Sequence, residues 1–323
     1  MSRRRLLHLV ASGAALTAVP RLGSAQAYPS RPVNLVVFVP AGGAPDIVAR
    51  IVAPALGQRL GQPIVIENRP GGGGNLALQA VVRAPPDGHT LLLIATPHAV
   101  NVTLYQQQSV NVLNDIVPVA SIDDDAFAMV VPLSSPAKTV AEFIAHAKAN
   151  PGKLNMGSSG SGNLSHLAGE LFRMMTGTEV VHVPYRGMPA ANTALMTGEV
   201  HVLFNALPSI MPLIKEGKVR PLGVTTAKRV KFLPDVPAVA DTVPGYAVTG
   251  WLGIGVPKNT PAEIVERLNR DMNAVLADPE VVARLDNAGS EVFTGSPADF
   301  GRFIAAETEK WAKVVKFANL KVE

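Results

Sequence analysis

Short apolar runs alternating with helical periodicity constrain this chain more than any single motif it contains. Val33 to Val39, Ile64 to Ile66 and Leu91 to Ala95 read as strands, and Asp46 to Leu60 and Asn75 to Arg83 read as the helices between them. Strand, helix, strand order predicts a mostly parallel sheet with helices on both faces, hence an α/β fold. A second set begins after an acidic turn, Asp123-Asp124-Asp125. There Phe127 to Val131, Leu154 to Gly157, Val180 to Val183, His201 to Phe204 and Val219 to Val224 read as strands, with helices at Val140 to Ala149, His166 to Thr176 and Ala190 to Thr197. From Thr249 the pattern returns to a strand, Trp251 to Val256, followed by amphipathic helices at Pro261 to Leu276 and Pro297 to Phe317. The stripe Ile264, Leu268, Met272 and Val275 marks a core-facing side of the first of these. Terminal helices of this kind pack back on the first unit. The expected organisation is two units crossed twice by the chain, 28–125 with 248–323 and 126–247. With 47% of its residues hydrophobic and 17% charged, the chain has enough apolar material for two packed cores.

Residues 1–27 carry the pattern of an export signal. Arg3, Arg4 and Arg5 precede the apolar run Leu6 to Val19, and Ala25-Gln26-Ala27 offers small residues for cleavage before Tyr28. The basic start Ser2-Arg3-Arg4-Arg5-Leu6-Leu7 fits either a twin-arginine or an ordinary secretory signal. This segment holds four arginines and no acids, so 29 Lys+Arg against 25 Asp+Glu become 25 against 25 beyond it. A neutral remainder argues against a nucleic-acid binder, which needs a retained excess of Lys and Arg. The run Leu6 to Val19 is too short to span a bilayer, and no later stretch reaches the ~18 uninterrupted apolar residues that would. Cysteine is absent, which removes disulfides, thiolate metal sites, a cysteine nucleophile and a lipoprotein anchor together. An exported, unanchored and soluble periplasmic protein is expected.

Ligands of such sheets bind outside the carboxyl ends of strands, where loops open into helix N-termini. Two loops of this type stand out. The first, from Phe38 to Arg50, leaves its strand through Pro40 and Ala41 and turns on Gly42-Gly43, where backbone N–H groups could approach an anion without a Cβ in the way. The same residues also suit a plain strand-to-helix turn, and Asp46 suits a helix cap as well as a contact. The second loop, Gly157 to Phe172, offers hydroxyls from Ser158, Ser159, Ser161 and Ser165, amides at Gly160 and Gly162, and Asn163. Such neutral donors can satisfy a carboxylate without burying a counter-charge. A flexible turn with Ser165 as cap is its structural alternative, and His166 fits a first-turn helix residue better than a base.

Enzyme motifs mostly fail. Gly72-Gly73-Gly74-Asn75-Leu76-Ala77 spells a dinucleotide fingerprint, but follows Arg69-Pro70 rather than a strand and lacks an acid ~20 residues on. The serine-rich loop has Ser161 where a nucleophile elbow needs glycine. There is no phosphate-binding P-loop and no H-x-x-x-H pair. Neither metal nor cofactor is expected. A metal-free serine hydrolase or lyase using the 157–166 loop, with His166 as base, is the enzymatic alternative.

Seven segments in a fixed order carry a resemblance over nearly all of the chain beyond residue 27. They are YPSRPVNLVVFVPAGGAPDIVAR from Tyr28, RLGQPIVIENRPGGGGN from Arg59, PPDGHTLLL from Pro85, the Gly157 loop, HVPYRG from His182, LPDVPAVAD from Leu233 and PGYAVTGWLGIGVPKNTP from Pro244. In these the chain resembles the Bug-type receptors, the periplasmic substrate-binding proteins of tripartite tricarboxylate transporters. The resemblance implies a two-lobed fold, similar to class II periplasmic binding proteins, that closes over a dicarboxylate, tricarboxylate, acidic amino acid or aromatic acid. It implies that the loop of Phe38, Pro40, Ala41, Gly42, Gly43 and Asp46, and that of Thr96 and His98, grip one carboxylate from the first lobe, partly through water. Ser158 to His166 and the Tyr185-Arg186-Gly187 turn complete the site. It further implies a monomer that serves inner-membrane permease subunits, or a periplasmic sensor kinase. Two departures stand out: Pro45 replaces a usual Thr or Ser, and Asn205 a common Asp. Loss of that acid is expected to disfavour an ammonium-bearing ligand.

Overall fold

The computed structural model describes residues 28–105 and 107–321, so the export segment and its cleavage point lie outside the described residues. In chain order the elements are β1 (Val33–Val37), α1 (Ala44–Leu60), β2 (Ile64–Asn68), α2 (Asn75–Val82), β3 (Thr90–Ala95), α3 (Thr96–Leu104), α4 (Val112–Asp115), β4 (Ile116–Pro132), α5 (Val140–Ala149), β5 (Leu154–Ser158), α6 (Leu164–Thr176), β6 (Val180–Pro184), α7 (Met188–Thr197), β7 (Val202–Ala206), α8 (Leu207–Lys215), β8 (Val219–Val224), β9 (Thr249–Pro257), α9 (Ala262–Leu276), α10 (Pro279–Asn287), β10 (Glu291–Val292) and α11 (Pro297–Phe317). The alternation read from the sequence is present. The helices 96–104 and 207–215 were not legible, because Pro97, Pro208 and Pro212 read as breakers; Pro97 and Pro208 occupy first-turn positions, where a missing N–H costs nothing.

The strands run in the order β2-β1-β3-β9-β4-β7-β5-β6, with β8 and β10 also paired to β4. The expectation of mostly parallel sheets needs correction. β2, β1 and β3 are mutually parallel, as are β6, β5 and β7, but β9, β4, β8 and β10 add antiparallel pairs. The long strand β4 causes this. Its residues Ile116–Ala126 pair with β9, whereas Phe127–Pro132 pair with β7 and β8. One strand thus belongs to both sheets.

Asp123-Asp124-Asp125 is consequently not a turn. It lies inside β4, opposite Leu252, Trp251 and Gly250 of β9, with β10 on the other edge. Pairing with β9 and β10 satisfies the backbone, and burial pushes all three carboxyls up toward their neutral forms, so three acids in a row do not break the strand. Two register shifts in the β4–β9 pairing, between Pro118 and Ala120 and between Ser121 and Asp123, bend the strand just ahead of the crossing.

The expectation of one core per unit also fails. The larger cluster is continuous from Val33, Leu91 and Trp251 in the first sheet to Phe172, Phe204 and Tyr246 beside the second. The smaller covers only one face of the second sheet, around Leu195, Leu203 and Ile210. Period-two alternation along β4 explains the split: Met129 and Val131 face the larger cluster, and Ala128 and Val130 the smaller. On α9, Leu268, Met272 and Val275 are buried and Ile264 packs at the margin, as the stripe predicted.

Candidate functional site

The carboxyl ends of β1, β3, β5, β6 and β7 each hand over to a helix, and the expected loops lie there. In the first, Gly43 N donates to Pro40 O (3.1 Å), and Gly43, not Asp46, precedes α1. Gly42 has φ +83°, a left-handed conformation that glycine adopts without strain. Asp46 is 1% exposed, and its carboxylate is fully engaged. Oδ2 accepts from Gly42 N (2.8 Å) and Arg50 Nε (2.8 Å); Oδ1 accepts from Arg50 Nη2 (3.0 Å) and Asn68 Nδ2 (2.8 Å). The Arg50 hydrogen bonds outweigh burial and hold this carboxyl down at about 2. Asp46 is therefore a brace under the glycine turn, which leaves Pro40, Ala41 and Gly42 exposed above it.

Beside it, Thr96 Oγ1 accepts from Trp251 N at 3.4 Å and is buried. His98 is also buried: Nδ1 lies 3.1 Å from Ala95 N, and the ring meets Phe38 edge-on at 5.0 Å. Burial pushes its pKa down to about 4, so the ring is neutral at physiological pH. Phe38, Thr96 and His98 support the rim from beneath rather than lining it.

The second loop is wired from inside. Ser165 is in α6 and is not its cap; Asn163 precedes the helix and makes no side-chain cap. Ser165 Oγ donates to Asn163 Oδ1 (2.7 Å) and accepts from Ser159 N (3.0 Å). His166 Nδ1 accepts from Gly162 N (3.0 Å), and its Nε2 lies 3.5 Å from Glu170 Oε1. Ser158 Oγ is 2.6 Å from His182 Nε2, and the His166 and His182 rings stack at 3.5 Å. Ser158, Ser165 and His166 are thus buried, while Ser159, Gly160, Ser161, Gly162 and Asn163 reach solvent. Among the described residues, His166 is not poised as the base of the serine hydrolase alternative: Ser165 donates to an amide oxygen, the His166 lone pair is occupied by Gly162, and Ser158, which meets the partly exposed His182, is itself fully buried.

Tyr185 N donates to Ser158 O (3.0 Å), which fixes the turn, but the phenol donates to Glu199 Oε1 (2.7 Å). Glu199 sits just before β7 begins, at the end remote from the rim, so the ring is drawn away from the cleft. Burial, together with the carboxylate, pushes the phenol up to about 12. Arg186 is exposed and forms no ion pair among the described residues. Gly187, with φ +94°, precedes α7. Asn205 is buried and donates to Asn192 Oδ1 (2.9 Å), so a neutral amide pair occupies the position where an acid was noted as missing.

Helix starts divide by location. Gly43, Gly74, Ala95, Asn163, Gly187 and Ala206, which precede the helices that follow the carboxyl ends of the parallel strands β1, β2, β3, β5, β6 and β7, give no side-chain cap. Asn111, Thr139, Asp278 and Ser296, away from those ends, each cap their helix; Pro261 is the uncapped exception. Among the described residues, the rim thus concentrates helix starts whose N-cap side chain satisfies no first-turn amide. Sequence reading missed Arg50, Asn68, Glu170, Arg173 and His182. The i,i+4 spacing of Asp46 with Arg50 and of His166 with Glu170 was an available signal.

Comparison with known proteins identifies the family and the fold. Residues 48–320 match the tripartite tricarboxylate transporter family receptor, TctC. Protein BugT of Bordetella pertussis is 32% identical over 326 residues, covering 100% of both chains. R. palustris Rpa4515 with adipate superposes with a TM-score of 0.77 at 38% identity, covering 91% of this chain and 99% of that one. MatC from Rhodopseudomonas palustris with bound malate gives 0.74 at 31%, covering 89% and 100%. The chain belongs to the TctC/Bug family of tripartite tricarboxylate transporter receptors.

Proposed function

We propose that the protein is a periplasmic receptor that captures a small organic carboxylate between lobes 28–125 with 248–323 and 126–247, and delivers it to a tripartite tricarboxylate-type permease without altering it. The observation that carries this reading is the set of uncapped helix starts at the rim. Each supplies free N–H groups and the positive end of a helix dipole, worth ~0.3–2 kcal/mol to an anion. A micromolar ligand needs ~8 kcal/mol. No one terminus suffices, so charge-assisted hydrogen bonds of ~1.5–3 kcal/mol each must come from both lobes. The contacts in this reading are the first-turn amides of α1 and α6, the Ser159 and Ser161 hydroxyls and the Asn163 side chain, with exposed Arg186 as a counter-charge; the amides of Gly42, Gly43, Ser159, Gly160 and Gly162 are already bonded within the chain and shape the loops. Asp46 offers no free acceptor and Asn205 no charge, so nothing there is suited to an ammonium group. The adipate and malate of the two neighbours make dicarboxylates the first candidates.

Calorimetry of the mature protein with adipate, malate, aspartate and glutamate tests this. One-to-one binding of an unmodified dicarboxylate, tighter than either amino acid, is expected. Tighter amino-acid binding rejects the role of Asn205, and chemical conversion of any ligand rejects a receptor.

A further inference from the structure

The glycine run that spells a dinucleotide fingerprint lies against buried side chains that line a small polar cavity. Gly71, Gly72, Gly73 and Gly74 have φ of +126°, +58°, +62° and +99°, a succession that only glycine adopts without strain. A Cβ on Gly73 would stand 3.3 Å from Asn101 Nδ2, and one on Gly74 3.0 Å from His98 Nε2, so the run rests directly on these two residues of α3. Asn101 Nδ2 donates to Gly73 O (2.9 Å) and to Asn75 Oδ1 (3.2 Å). That fixes both amides and leaves Asn75 with a spare donor, Nδ2, and Asn101 with a spare acceptor, Oδ1. His98 Nδ1 accepts from Ala95 N (3.1 Å), the nearer of the two Ala95 backbone groups beside it, so the neutral ring carries its proton on Nε2. Asn75 is 2% exposed and His98 1%, and among the described residues neither Asn75 Nδ2 nor His98 Nε2 has a hydrogen-bond partner. The Gly74 backbone comes close to the His98 ring without completing a hydrogen bond to Nε2.

Asn75, His98 and Asn101 all line one cavity of about 70 Å³, with Leu78 and Val110 as apolar wall. That volume holds two water molecules at ~30 Å³ each. No residue that lines it is Asp, Glu, Lys or Arg. An ion there would lie without a counter-charge, and an anion, which only accepts, could not serve Asn101 Oδ1. Water both accepts and donates, so one molecule satisfies all three atoms. We propose that the cavity is a built water site, in which one water accepts from Asn75 Nδ2 and His98 Nε2 and donates to Asn101 Oδ1, a second water completes its hydrogen bonds, and the bridge holds the glycine run 71–74 on the start of α3. This goes beyond the receptor reading and does not rest on it. Both donors are buried, so the bridging water is an interior one, separate from any that meets a ligand. The convergence of three amide and imidazole groups on an uncharged cavity has a physical reason in this bridge, since a buried donor without a partner loses its hydration and gains nothing in return.

The test is a high-resolution crystal structure of the mature protein, grown with bromide in place of chloride. Two ordered waters are expected in the cavity, one of them within about 3.2 Å of both Asn75 Nδ2 and His98 Nε2, and no anomalous bromide signal. Bromide at that position, or a rearranged Leu78 or Asn101 that fills the space, overturns the proposal. Hydrogen exchange at the Gly74 amide, which donates to Gly71 O (3.1 Å), reads the hold on the glycine run. His98→Phe keeps a ring but has no donor, and should lower that protection about fivefold, the loss of one net hydrogen bond. His98→Gln, whose Nε2 can donate from the place of the imidazole Nε2, should stay within about twofold of wild type. Equal protection in all three proteins shows that no bridge holds the run, and equal losses in both variants assign the effect to the Ala95 bond; either result overturns the proposal. Where His98→Phe fails to fold, the wild-type structure decides by itself.

Discussion

Asp124 should make the fold more stable in mild acid than at neutrality. Its carboxyl lies on β4, across from Trp251 of β9 and Glu291 of β10. Burial is the main cause that pushes it up to about 6; Glu307 and Glu291 add to this, and Thr249 and Lys310 oppose it. In the unfolded chain an aspartate titrates near ~3.9, so the difference is roughly 2 units at ~1.36 kcal/mol each, an upper limit of ~3 kcal/mol. Residual solvent contact reduces this to about 2 kcal/mol. The folded state binds the proton more tightly, so the contribution is complete below about pH 4 and is lost as pH rises through about 6. Asp124→Asn keeps the shape and removes the titration. Urea unfolding of both proteins from about pH 4 to about pH 7 should show wild type losing about 2 kcal/mol relative to the variant, with unchanged m-values. Curves that stay parallel across that window would refute the assignment of the proton to Asp124.

Three further changes probe the packing and the brace. Glu307 Oε2 accepts from Trp251 Nε1 (3.2 Å) and Trp311 Nε1 (2.9 Å), so Glu307→Ala orphans two buried donors and should cost ~2–4 kcal/mol in chemical denaturation; an unchanged midpoint contradicts this. A Cβ on Gly169 would stand 1.8 Å from Met156 Sδ, so Gly169→Ala should lose ~1–3 kcal/mol despite better helix propensity, with Met156→Ala giving partial rescue; a more stable Gly169→Ala would show that Met156 yields freely. Asp46→Ala frees the Gly42 amide and the Asn68 amide, and should destabilise by ~1–3 kcal/mol at neutral pH. Its deficit should vanish as pH falls from about 4 to about 2, the range over which the wild-type carboxylate gains its proton; a deficit independent of pH would place the effect elsewhere.

Both rim loops were legible because glycine between a strand and a helix has few other uses. Gly42-Gly43 and Gly157 to Asn163 stand where they were expected. What composition could not show is depth. Ser158 and Ser161 look alike in the sequence, yet one is sealed under the loop by His182 and the other is exposed, since the twist of a few backbone angles decides which way each hydroxyl turns. The direction of the Tyr185 phenol is hidden for the same reason: it follows Glu199, a partner 14 residues on. The acidic run in β4 misled in another way. Three aspartates read as a solvated turn unless strands on both sides bury them, and pairing with β9 and β10 is a long-range fact.

In the proposed receptor, capture and closure are coupled because the uncapped helix starts fall both in 28–125 with 248–323 and in 126–247. The two crossings meet at Thr225, whose buried hydroxyl donates to Val248 O (2.6 Å) and accepts from Phe127 N (3.2 Å). Backbone bonds Thr225 N to Phe127 O (2.8 Å) and Val248 N to Thr225 O (2.9 Å) repeat the tie. These bonds tie the two chain crossings together on the 126–247 side. Lys231 Nζ of 126–247 meets Asp286 Oδ1 of 248–323 at 2.7 Å, an exposed pair worth at most ~1 kcal/mol. Such a contact is too weak to lock the closed form by itself. On the proposed reading the ligand supplies most of the remainder by bridging helix starts of both lobes, so occupancy and shape change as one event, which is what a membrane partner would need in order to distinguish loaded from empty receptors.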